Sequence, residues 1–167
     1  PVATPGRAHW RDLIAHRPGT RLEAAEVFAD QLLLAERTEA RTQLRVCDPD
    51  TGEGEVLAMD EEVYAAAFGA NPRFTTRTLR FAYTSLTTPT QELDLDVATG
   101  ARTLLKQQPV RGGYDRDRFV SWREWAPAAD GTRVPISLVR RADVPLDGTA
   151  PCLLYGYGSY EISIDPV

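Results

Sequence analysis

A five-residue turn occurs twice in this chain, as Asp48-x-x-Thr51-Gly52 and as Asp96-x-x-Thr99-Gly100, offset by 48 residues. Each copy follows an alternating apolar segment, and each precedes another, Glu55 to Met59 and Arg102 to Lys106. An Asp that opens a turn accepts from backbone N–H groups, and a Gly that closes it takes the φ > 0 position before the returning strand. Four short strands repeated at about 40–50 residues are the pattern of β-propeller blades. The competing reading is a pair of unrelated hairpin turns. With the glycines aligned, Leu44 and Val46 fall on the opposite parity from Leu93 and Leu95. A bulge or a one-residue slip would reconcile them.

Short strands are expected throughout 21–108. The candidates are 22–29, 31–37, 42–47 and 54–59, then 63–69, 78–85, 91–97 and 101–107, separated by turn residues such as Asn71-Pro72 and Thr88-Pro89. Leu79, Phe81 and Tyr83 alternate as in a half-buried strand, whereas Leu32-Leu33-Leu34 is continuous, as in a strand covered on both faces. Blades do not close in twos. The chain also begins with Pro1 rather than Met, so an internal piece of a longer protein is expected.

The flanks differ in character. Residues 1–20 suit a connecting segment, with Trp10, Leu13 and Ile14 on one face of a short helix. Residues 109–120 hold Pro109, the Gly112-Gly113 pair and the charge run Asp115-Arg116-Asp117-Arg118, a surface crossing between domains. In 121–167 a strand at 122–126 and a return strand at 132–141 flank an Asp130-Gly131 turn. The apolar run Cys152-Leu153-Leu154-Tyr155 is expected to be a buried strand ending in a loop with Gly156, Tyr157, Gly158 and Tyr160. Open α/β sheets bind ligands at such a strand's carboxyl end.

The 43% hydrophobic and 26% charged fractions are those of a globular domain. A net charge of −5 argues against a nucleic-acid partner, and no apolar run approaches the roughly 20 residues of a membrane span. Cys47 and Cys152 both sit in apolar runs and are expected to be buried free thiols in a reducing cytosol, which implies a cytoplasmic protein. His9 and His16 are the only histidines and neither cysteine has zinc spacing, so no metal or other cofactor is expected.

The segment Leu154-Tyr155-Gly156-Tyr157-Gly158-Ser159-Tyr160, with Ser163-Ile164-Asp165-Pro166, resembles the prolyl oligopeptidase family of serine peptidases, and within it the oligopeptidase B (protease II) branch. Ala128 to Val139, Thr84 to Pro89 and Gly100 to Gln108 carry the same resemblance, which covers essentially the whole chain. It implies a β-propeller capping an α/β-hydrolase domain. Residues 21–108 would be the last two blades, 109–120 the interdomain crossing, and 121–167 the first strands of the hydrolase domain, a mainly β fold overall. It further implies that Tyr157 donates its hydroxyl to the oxyanion, and that Asp165 helps hold a second basic side chain of the substrate. The family's second acidic position falls on Val167, a departure that weakens the expected preference for paired basic residues.

The implied activity is cleavage after Lys or Arg in short basic peptides, the expected partners, with no nucleic acid or membrane involved. The chain has no G-x-S-x-G elbow, so its Ser-Asp-His triad would lie outside these residues and the isolated chain is expected to be inactive. Open blade edges make it prone to aggregation. Two alternatives remain: a non-catalytic β-rich binding module, and another member of the family, such as a prolyl-specific oligopeptidase or a dipeptidyl peptidase.

Overall fold

The computed structural model describes residues 2–167, with the backbone alone of Glu161. Pro1, the first residue of the expected connecting segment, lies outside the described residues. Strands β1 (Thr20–Val27), β2 (Leu32–Thr38), β3 (Arg41–Cys47) and β4 (Gly54–Val56) form one antiparallel meander. Strands β5 (Tyr64–Phe68), β6 (Thr78–Ser85), β7 (Gln91–Asp96) and β8 (Arg102–Gln107) form a second, in the same order. A two-stranded hairpin follows, β9 (Phe119–Pro127) with β10 (Arg133–Arg141).

The repeated turn is the same object in both sheets. Asp48 Oδ1 accepts from Thr51 N at 2.8 Å, and Asp96 Oδ1 from Thr99 N at 2.8 Å. Gly52 N donates to Asp48 O at 2.9 Å, and Gly100 N to Asp96 O at 2.8 Å. The two glycines take φ of 73° and 72°, the left-handed region that a Cβ disfavours.

One apolar core joins the two sheets. Phe28, Leu33 and Leu44 of the first pack with Tyr64, Ala66, Leu79, Phe81, Tyr83 and Leu95 of the second. On the other face of the first sheet, Leu32, Leu34 and Cys47 form a smaller cluster, with Ile14 packed on it. All three leucines of the continuous run are therefore buried, one toward the second sheet and two away from it.

This arrangement resolves the parity mismatch without a slip. Leu32 pairs with Cys47 just as Leu79 pairs with Leu95, so the two sheets are in equivalent register at the turn. The first sheet meets its neighbour through Leu44 and Val46, and the second meets it through Leu93 and Leu95, which belong to the opposite face. Stacked blades present opposite faces to one another, and the apolar residues follow. The outer face of the second sheet is polar there, with Arg80 donating to both oxygens of Asp94 at 2.8 and 3.1 Å.

Two expectations for the flanks fail. The face expected of a helix over Trp10 to Ile14 is replaced by a single 3-10 turn, Arg7–His9, and Trp10 is exposed. Cys152 to Tyr155 form no strand, Leu153 and Leu154 are 92% and 87% exposed, and Cys152 is exposed rather than buried. An apolar run becomes a buried strand only beside a hydrogen-bonding neighbour, and among the described residues none pairs with it. No helix among the described residues is long and apolar enough to cross a membrane.

Candidate functional site

Two charged clusters tie the segments flanking the sheets to them. In the first, Glu61 lies in the turn before β5, with its side chain 7% exposed. It accepts from Tyr83 Oη at 2.6 Å, Thr88 Oγ1 at 3.1 Å and Arg116 Nη2 at 2.8 Å, and from the Thr87 hydroxyl. Burial alone would raise the pKa of this carboxyl group. Hydrogen bonds from Ser85, Thr87, Tyr83 and Arg116 outweigh it and hold the group at about 2. Burial and the Glu61 charge push the Tyr83 hydroxyl up. Tyr114 donates to Thr87 O, which with the Arg116–Glu61 contact fastens the segment leading into β9 at two points, and its ring stacks on Phe119 of β9 itself. A cleft of about 250 Å³ lies beside this hub, lined by Asp60, Tyr83, Gln91, Gln107, Tyr114 and Arg116.

The second cluster holds the C-terminal segment. Arg37 on β2 donates from Nη1 and Nη2 to the two oxygens of Asp165, at 2.8 and 3.1 Å. Its Nε donates to Glu23 at 2.7 Å. Glu23 sits in β1 where the pairing skips from Leu22 to Ala24, so a bulge turns its side chain toward Arg37. The Asp165 hydrogen bonds, more than those of Glu23, raise the Arg37 pKa. Nearby, the two-residue β2–β3 turn carries Glu39 and Ala40 at φ of 49° and 57°. Arg123 on β9 donates from Nη1 to the Glu39 carbonyl at 2.8 Å. Burial, and then the neighbouring Arg41, lower the Arg123 pKa.

Of the residues singled out in the sequence, Asp165 is brought to a guanidinium of the first sheet. Tyr157 stands half exposed on the irregular segment between β10 and a 3-10 turn, Ser159–Glu161. His9 and His16 are exposed. Among the described residues, no group of three or more His, Cys, Asp or Glu is placed to hold a metal. Glu61, Arg37 and Arg123 drew no attention in the sequence. Their contacts span 55, 128 and 84 residues, and no local pattern announces such pairs.

Comparison with known proteins agrees with the two stacked sheets. The family model described as prolyl oligopeptidase, N-terminal beta-propeller domain, matches residues 1–108. Dipeptidyl aminopeptidase BI of Pseudoxanthomonas mexicana is 44% identical over 167 residues, which is 99% of this chain and 23% of that protein. Protease 2 of Moraxella lacunata is 36% identical over 139 residues, 83% of this chain and 20% of that protein. Among solved structures, oligopeptidase B from Trypanosoma brucei, in a closed form with covalently bound antipain, superposes with a TM-score of 0.83. It is 36% identical, with 92% of this chain and 23% of that one covered. The chain thus spans about a quarter of the length of these relatives. Four-stranded meanders stacked through a shared core, with a family match across both of them, make this chain a member of the prolyl oligopeptidase family.

Proposed function

We propose that these residues belong to a serine oligopeptidase, at the passage from its last two propeller blades into an α/β-hydrolase domain, and that the whole enzyme cleaves short peptides after Lys or Arg. In this reading Tyr157 is the oxyanion donor. The residue is 49% exposed, and glycines at 156 and 158 flank it. A phenol donates one hydrogen bond, which strengthens as negative charge develops on the carbonyl oxygen under attack. One such donor contributes about 10²–10³ in rate. The nucleophile and its Asp and His partners would come from outside these residues.

The observation that carries the basic preference is the geometry at Asp165. It receives a two-pronged guanidinium contact from Arg37, the contact that a peptide arginine would make. A cytoplasmic location is part of the proposal, supported by two free cysteines in a chain with no disulfide among the described residues.

The relative named dipeptidyl aminopeptidase BI favours a second reading, release of dipeptides from a free amino terminus. Peptides blocked at the amino terminus, with Arg, Lys or Pro before the cut, separate the readings when given to the full-length enzyme. The proposal expects cleavage after Arg and Lys, abolished by a serine-directed phosphonofluoridate. Turnover only of unblocked peptides, or only after Pro, overturns it. No turnover at all leaves a binding module as the function.

A further inference from the structure

We propose that Arg37 is a specificity-determining residue: its guanidinium occupies Asp165 as an internal mimic of a substrate's second basic side chain, which a dibasic peptide must displace. This rests on, and deepens, the reading of Asp165 as a substrate contact.

Arg37 is preorganised for the task. Glu23 holds its Nε, which leaves the Nη1 and Nη2 prongs for the two carboxylate oxygens of Asp165. Both oxygens are engaged, so a second guanidinium cannot take the same fork while Arg37 is in it. The pair is reachable, with side chains 16% and 31% exposed. When displaced, Arg37 keeps Glu23 as its partner, so the exchange strands no uncompensated charge.

A contrasting cluster of three lies nearby. Glu36 is 1% exposed and is closed in by Arg17 and by Arg45 Nε at 3.1 Å. No ligand can compete there, and that cluster is structural.

The test uses the full-length enzyme and two blocked peptides, one with Arg-Arg and one with Ala-Arg before the cut. In Arg37→Gln, KM for the Arg-Arg peptide should fall about three- to tenfold more than KM for the Ala-Arg peptide, the range of a partly exposed charged contact. Arg37→Lys, which keeps one charge without the fork, should fall between. Adding Asp165→Asn to Arg37→Gln should erase the gain. An unchanged KM ratio overturns the inference, as does a parallel change in kcat for both peptides, which would make the pair a structural latch. If wild type cleaves neither peptide, the reading of the enzyme falls first, a result distinct from an unmoved ratio.

Discussion

Arg116 donates to a single carboxylate oxygen of Glu61 from two nitrogens, Nη2 at 2.8 Å and Nε at 3.2 Å, across 55 residues of chain. The contact fastens the segment that leaves the second sheet back onto the turn that begins it. The charged form of Glu61 is the one its neighbours bind.

This fixes a pH dependence. The folded pKa of Glu61 is about 2, below its ordinary value of 4.5. A depressed carboxyl pKa stabilises the fold above the unfolded value, and that contribution is lost as pH falls from about 4.5 toward 2. Glu61→Gln should lower stability near neutral pH by about 1–3 kcal/mol. It should also flatten the acid limb of denaturant midpoint against pH in the full-length protein. Parallel acid limbs for wild type and variant would contradict this.

The twin turns offer an internal control. Gly52 and Gly100 share a backbone conformation, but a Cβ at Gly52 would sit 2.6 Å from the Leu13 carbonyl, while one at Gly100 meets nothing within 4 Å. Gly100→Ala should cost about 1–2 kcal/mol from the left-handed φ alone. Gly52→Ala should cost a further 1–3 kcal/mol or so for the clash. Denaturation midpoints check the order, and equal losses would show that the Leu13 segment is not seated on the turn.

Much of this fold was legible in the sequence because its signals are local. Alternation in Leu79, Phe81 and Tyr83 marked β6 over Thr78–Ser85, and the Asp-x-x-Thr-Gly turns marked both third-to-fourth strand connections. The parity of Leu44 misled because alternation shows which face is apolar but not which neighbour covers it. Leu153 and Leu154 misled for a related reason: composition says strand, and pairing decides. At the candidate site, the glycine-flanked loop marked Tyr157 locally, but its oxyanion role, and Asp165 altogether, stood out only through a family resemblance. Arg37 and Glu61 had no local signal, since each is defined by a partner far along the chain.

The exposed run Leu153, Leu154, Tyr155 and Tyr160, beside sheets with open edges, should make the isolated 167-residue chain self-associate. Light scattering after size exclusion checks this. A monodisperse monomer with a cooperative melt would instead favour a self-contained module.

The oxyanion role proposed for Tyr157 stands or falls on Tyr157→Phe in the full-length enzyme. The substitution removes one hydroxyl from a half-exposed residue and keeps the aromatic ring. In that variant kcat on a blocked Arg peptide should fall about 10²–10³-fold with KM little changed. A kcat within about twofold of wild type, a difference of only about 0.4 kcal/mol, would contradict it.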